Sequence, residues 1–335
     1  MTGFQEFLQA VKPEVDSRIE AVARKKLRDE NLVELLIRGK RLRAGLLMLV
    51  NQTAWNGRSR SALDLACAIE LAHSASLIID DMLDEDELRR GLPTVHMTEG
   101  HKRAMLDTVG ILSLPYDLAV PFGDYYVRSL AETQRGMVTG VLRELLQIRP
   151  ELPASKLYDT IIAQKTGRPF GLAAAWGFEA GTNGNREALR PSRHLWRDYG
   201  LHVGKAMQIA DDIADLRSVI LEEKRSGFGS EILLLRCVTA ERLAKELFSD
   251  LKKLDLHIEK ARDLWSDSGA QKSLLHRLDV EISQAEECID SLTIGDPRLM
   301  ELLRETPRDI ARMMLDEDPS VRSSMSKIPL ALPSV

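Results

Sequence analysis

The segment ALDLACAIELAHSASLIIDDML, residues 62–83, carries apolar or small side chains around most of a helical circumference. Such a pattern marks a buried central helix, which needs other helices packed around it. The segment then runs into charge, since six of the eight residues from Asp80 to Glu87 are acidic. Carboxylates this dense repel one another and raise each other's pKa unless something positive neutralises them. The fold must therefore surround this helix with apolar neighbours and bring cations to its end.

Helical periodicity recurs along nearly the whole chain, and strand alternation is almost absent. Residues 30–55 read as one helix or a pair around Gly39. Residues 101–118, 121–148 and 154–180 read as helices punctuated by Pro115, Pro121, Pro150 and Pro153, and 193–218 as another that ends in acids. GLPTVH (91–96), TNGN (182–185) and RSGFGSE (225–231) interrupt the pattern, and 241–265 and 273–292 have the amphipathy of outer helices. No repeat, low-complexity block or interdomain linker intervenes. The expectation is a single all-α domain over residues 1–315, with 316–335 as a loosely ordered tail.

The net charge of −5 gives no reason to expect a nucleic-acid partner. The N-terminus lacks the basic and apolar regions of a secretory signal. No apolar run is expected to reach the ~18 residues that span a bilayer, so no integral membrane segment is expected. Cys67, Cys237 and Cys288 are few and widely spaced, as befits free thiols in a cytoplasmic protein.

Asp80 and Asp84 stand one above the other on a helix, with Asp81 on the same turn. One such DDxxD is a weak signal, because acidic helix ends are common. AMQIADDIADL repeats the spacing at Asp211, Asp212 and Asp215, again at the end of an apolar helical stretch. Two such triads are costly unless metal or substrate compensates them. Magnesium suits them, since it takes a few carboxylates and fills its other positions with water or phosphate oxygens. GKRLRAG supplies Lys40, Arg41 and Arg43, LRRG supplies Arg89 and Arg90, and AQKTGR supplies Lys165 and Arg168. Each alone is more often a solvated surface cation, but beside magnesium the set suits diphosphate groups.

These motifs in this order, GKRxR, HSxxLxxDDxxD followed by LRRGxPTxH, KTG and QxxDDxxD, resemble those of the trans-isoprenyl diphosphate synthases from about residue 35 to 230. The resemblance implies an all-α prenyl synthase bundle around a deep central cavity. It also implies a homodimer that joins an allylic prenyl diphosphate to isopentenyl diphosphate, head to tail, with magnesium. By position, Asp80, Asp81, Asp84, Asp211, Asp212 and Asp215 would be the magnesium-linked ligands of the allylic diphosphate. Arg89, Lys165 and either Lys224 or Arg225 would contact the same group. Lys40, Arg43, His73 and Arg90 match the isopentenyl diphosphate site, and Thr166 and Gln208 match residues at the reacting centre. A lone histidine on an apolar helix is more often a core residue, but its place in the motif reverses that for His73; His96 is read as structural. The departing diphosphate is implied to take the proton, so no nucleophile or triad is expected.

The chain departs from the family pattern at three places. Ala44 stands where proline is usual, Val141 and Leu142 fall near the place of the common GQ pair with only Glu144 acidic there, and Leu233–Arg236 replace a later lysine region. Ala75 and Ser76, five and four residues before Asp80, are small, as is Ala72. In this family the growing chain passes beside that helix, so small residues argue against a stop at fifteen carbons. The first triad lacks the two-residue insertion found in some bacterial relatives that make twenty-carbon products, so the floor is expected from deeper or neighbouring helices around Leu112–Tyr116. The chain is read as most similar to geranylgeranyl diphosphate synthases. Two rivals are a related diphosphate-ionising terpene cyclase, which has no use for Lys40, Arg43 and His73, and a non-catalytic modulatory subunit, which would be free to lose its aspartates.

Overall fold

In chain order α1 (Phe4–Lys26), α2 (Glu30–Leu36) and α3 (Leu42–Trp55) precede α4 (Arg60–Leu83); α1 and α3 pack on α4, and α2 packs on α1. α5 (Val95–Glu99), α6 (His101–Ala119) and α7 (Asp124–Leu146) follow, then α8 (Ala154–Ile162), α9 (Arg168–Glu179), α10 (Arg190–Glu222), α11 (Ser268–Asp290) and α12 (Pro297–Leu315). The structure is a computed structural model and describes residues 3–27, 29–55, 59–89, 91–146, 154–181, 190–222, 268–292 and 295–315. The fold is all-α, as expected. Arg90, Lys224, Arg225, Cys237, the segment 241–265 and the tail 316–335 lie outside the described residues.

α4 is buried on most of its circumference through Leu65, Ala66, Cys67, Ala68, Leu71 and Ala75, and it packs on α1, α3, α6 and α9. This corrects the expectation about apolar runs: by length and composition α4 is apolar enough to cross a membrane, and most of the qualifying window is buried inside the fold. A helix with neighbours all round must be apolar all round. α1 lays Phe4, Phe7, Val11, Val15 and Ile19 on the same core with helical spacing.

Side chains set several helix starts. Asp29 accepts hydrogen bonds from the Asn31 and Leu32 amides at α2, Ser59 from the Ala62 amide at α4, and Asp296 from the Arg298 and Leu299 amides at α12. The Gly39 region resolves as a helix pair. After α4 the chain forms a two-residue antiparallel hairpin, Leu88–Arg89 against Leu92–Pro93, where only a break was expected. Gly91, at φ 76°, makes its turn.

α8 enters α9 through a π-helical turn, Ala163–Gly167. Turns of this kind widen a helix locally and often sit at functional sites. The turn lies tight against α7, because a Cβ on Gly140 would come within 3.1 Å of the Lys165 amide nitrogen. It lies tight against α10 as well, where a Cβ on Gly204 would meet the Gly167 Cα at 2.9 Å. These two approaches hold Lys165 and Thr166 between α7 and α10.

Candidate active site

The helices close on one cavity of about 2030 Å³. Its lining includes all six aspartates of the two triads, together with Lys40, Arg43, His73, Arg89, Lys165, Thr166 and Gln208. Residues predicted from four separate stretches of sequence thus meet in a single space. Of the predicted chain-length residues, Ser76 lines the cavity with Ala72, whereas Ala75 is fully buried in the core.

The first triad ends α4. Arg89 returns on the hairpin to pair with Asp81 and also reaches Asp86 at 3.3 Å. Burial pushes the Asp80 carboxyl up to about 6, with Asp84 and Glu144 adding to the rise and Lys165 and Arg89 opposing it. Burial likewise raises Asp81 and Asp84 above the usual carboxylate range. The rise is chiefly the cost of burying the charged form, which a bound cation would offset.

The second triad lies on α10 about two turns before that helix ends at Glu222, later than the sequence pattern of 193–218 suggested. Asp212 accepts hydrogen bonds from Tyr158 Oη at 2.7 Å and Gln208 Nε2 at 2.8 Å. Thr166 donates to Gln208 Oε1 at 2.5 Å, so the π-helical turn, Gln208 and Asp212 form one connected chain of bonds. Among the described residues, no group of three or more His, Cys, Asp or Glu could by itself hold a metal ion. Magnesium accepts one or two carboxylates and completes its shell with water and phosphate oxygens, so it needs no closed set of protein ligands. The all-oxygen donor set and the raised carboxyls of the first triad fit such an ion.

Lys165 donates to Glu144 Oε2 at 2.9 Å. Burial pulls its ammonium down, but Glu144, Asp80 and Asp212 more than offset this and hold it above the usual lysine range. Glu144, prominent in the sequence only as a departure from the family pattern, is thus the partner of a predicted site cation.

The GKRLR segment is anchored by a buried ionic cluster around Arg41. Arg41, at φ 63° and 2% exposed, bonds Asp16 Oδ1 at 2.6 Å and the Leu36 carbonyl at 2.5 Å, with Glu70 at 3.6 Å. Arg41, read as one of three diphosphate cations, therefore has an anchoring place. Glu70 also accepts the Ala44 amide at 2.9 Å, a bond that the family's usual proline could not donate. This anchored turn presents Lys40 and Arg43 to the cavity. Arg43 lies 4.8 Å from the Phe170 ring centre, and its Nε is buried with no hydrogen-bond partner among the described residues. Burial pulls its guanidinium below the usual arginine range, against the fields of Glu70, Asp211 and Asp80. His96, read as structural, is buried with its Nδ1 3.2 Å from Thr94 Oγ1.

An all-α bundle whose cavity gathers two DDxxD motifs and a basic counterpart defines the class of trans-prenyltransferases. The polyprenyl synthetase family pattern matches residues 25–227, and the chain belongs to that family, the trans-isoprenyl diphosphate synthases. It is 30% identical over 253 residues to a geranylgeranyl diphosphate synthase of Pseudescherichia vulneris, covering 71% of this chain and 78% of that one. It is 31% identical over 228 residues to a geranylfarnesyl diphosphate synthase of Methanosarcina mazei, covering 67% and 74%. Among solved structures, a heptaprenyl diphosphate synthase from Staphylococcus aureus superposes with a TM-score of 0.79 at 20% identity, over 91% of this chain and 98% of that one. These relatives make products of different lengths, so membership leaves the chain length open.

Proposed function

We propose that the protein condenses isopentenyl diphosphate head to tail with an allylic prenyl diphosphate and stops at geranylgeranyl diphosphate. The observation that carries the reading is that two aspartate triads share one cavity with Arg43, whose buried guanidinium keeps an unbonded Nε. A buried donor of this kind is costly unless an anion fills it. Lys40, Arg43, His73 and Arg90 would hold isopentenyl diphosphate. Asp80, Asp84, Asp211 and Asp215, with Asp81 and Asp212 braced from the protein side, would serve the allylic diphosphate through magnesium, helped by Arg89, Lys165 and Lys224.

Magnesium, when bound by these aspartates, would supply Lewis-acid stabilisation of the leaving diphosphate. Lys165 and Arg89 add positive charge where the allylic C1–O bond breaks and the diphosphate departs with the electron pair. Thr166 and Gln208 line the reacting centre. The isopentenyl double bond attacks the allylic carbon and forms the new C–C bond. A proton then leaves the adjacent carbon for the departing diphosphate. The cavity walls keep water from the cation.

The cyclase and non-catalytic readings are not favoured. A cyclase leaves Lys40, Arg43 and His73 without use, and all six aspartates remain. We read residues 1–315 as one domain working as a homodimer, in keeping with the exposed apolar Met105, Leu106 and Val109 on α6. The test is incubation of purified protein with labelled isopentenyl diphosphate, magnesium and allylic primers of increasing length. Incorporation into a twenty-carbon product is expected. No incorporation with any primer would overturn the reading.

A further inference from the structure

We infer that Tyr116 and Gln134 form the floor of the hydrocarbon shaft and set where product growth stops; this rests on the condensation reading above. The shaft has two facing walls. On α4, Ala72 and Ser76 lie below Asp80 at four-residue steps, and all three line the cavity. On α7, Gln134, Met137 and Val141 lie below Glu144 at steps of three, four and three residues, and all line the same cavity. A stripe with this spacing occupies one helix face.

The two walls share a common top. Glu144 pairs with Lys165, and the charges of both act on Asp80 and Asp84. Gln134 is ten residues before Glu144, which places it roughly 15 Å deeper along the helix axis. Between the two levels the α7 lining is Leu142, Val141, Val138 and Met137 with one polar residue, Thr139, and α6 adds Leu112. The wall is therefore charged at the mouth and mostly apolar below it.

At the Gln134 level polar groups interrupt that lining, and on α7 only the small Ala131 lines the cavity beyond them. Tyr116, one helical turn beyond Leu112, donates its hydroxyl to Gln134 Oε1 and so bridges from α6 to α7. Both residues are half-buried and line the cavity. The Gln134 Nε2 is buried with no hydrogen-bond partner among the described residues. A growing hydrocarbon tip that reaches this level meets an aromatic ring and an amide already short of one partner. Pushing them apart would break their bond and strand further polar groups against hydrocarbon. Growth past this level is therefore opposed both by volume and by polarity.

The experiment compares purified wild type with Tyr116→Ala, Gln134→Ala and Tyr116→Trp. Circular dichroism checks the fold, and chromatography of dephosphorylated products gives chain length. Both alanine variants are expected to make products longer by one or more isoprene units, and Tyr116→Trp shorter ones. A bond that only ties α6 to α7 would change stability and not product length. The initial rate of the first condensation should stay within about threefold of wild type, because the changes lie away from the reacting carbons. If wild type elongates normally and both folded alanine variants stop at the same length as wild type, the floor assignment is wrong. Should an alanine variant fail to fold, the tryptophan variant decides, and an unshortened product overturns the proposal. If wild type itself incorporates no isopentenyl unit, the condensation reading falls and takes this inference with it.

Discussion

Tyr158 Oη donates to Asp212 Oδ2 at 2.7 Å, while Gln208 Nε2 holds the other carboxylate oxygen at 2.8 Å. The first triad has a counterpart, since Arg89 engages Asp81. In both triads the middle aspartate is fastened by a neighbour, and in both it is more buried than the aspartate before it. The duplicated motif is thus repeated in its bracing as well as in its spacing.

This arrangement separates two kinds of variant. Asp80→Ala and Asp211→Ala should each lower turnover by about 10³-fold or more, since several kcal/mol of charge stabilisation depend on them. Tyr158→Phe removes one brace and no carboxylate, and should cost about tenfold with a higher magnesium requirement. Steady-state rates across a magnesium titration check both. Near-normal turnover of Asp80→Ala in EDTA would end the metal reading.

Arg43 gives a prediction about substrate sites. Its place in the first turn of α3 is apart from both aspartate triads in sequence, and its Nε is buried without a partner among the described residues. Arg43→Ala should raise the KM for isopentenyl diphosphate by about 10- to 100-fold, the worth of one charge-assisted contact, and leave the allylic KM nearly unchanged. An equal rise in the two constants would argue against a dedicated isopentenyl site.

The back of α10 carries a pH-dependent contribution. Glu281 on α11 accepts from His202 Nδ1 at 2.7 Å and from the Lys205 ammonium. Burial alone would raise its carboxyl, but hydrogen bonds from His202 and Lys205 outweigh that and hold it below the usual glutamate range. A depressed carboxyl stabilises the fold above its unfolded pKa, and the contribution is lost as pH falls through the folded value. Glu281→Gln should therefore cost about 2 kcal/mol near neutral pH, and the gap should close as the wild type is acidified below the unfolded glutamate pKa. Thermal melts from pH 7 downward test this. A gap that stays constant down the series would refute the linkage.

The legible parts of this molecule were those with local signatures. The all-round apolarity of residues 62–83 places α4 at the centre, and four-residue spacing stacks the first and last aspartates of each triad on one helix face. What escaped depends on residues distant in sequence. Lys165 and Glu144 are 21 residues apart, and Tyr116 and Gln134 are 18 apart. The π-helical turn between α8 and α9 has no composition that announces it, because close packing against Gly140 and Gly204 holds it in place. α12 contains Pro307, which propensity counts against a helix interior. Tertiary contact outweighs that, with Pro307 buried and Tyr199 donating to the Leu303 carbonyl at 2.6 Å. Arg41 looked like a third diphosphate cation, and only its buried partners reveal it as an anchor.

The chain-length residues give the last prediction, and the structure separates two neighbours that the sequence treated alike. Both Ala75 and Ser76 are small and precede Asp80 by about one turn. Ser76 lines the cavity, with its hydroxyl bonded to the His73 carbonyl at 2.8 Å. Ala75 is 0% exposed and packs in the core. A phenylalanine at 76 would project into the shaft about one turn below Asp80, while a phenylalanine at 75 must displace packed neighbours. Ser76→Phe should shorten the product to fifteen carbons or fewer with little change in melting temperature. Ala75→Phe should instead cost about 1–3 kcal/mol through overpacking, and reach product length only through displaced helices. Melting curves and product chromatography on the two variants decide the matter. A shortened product from Ala75→Phe at unchanged stability, with Ser76→Phe making the wild-type product, would place the shaft on the other face of α4.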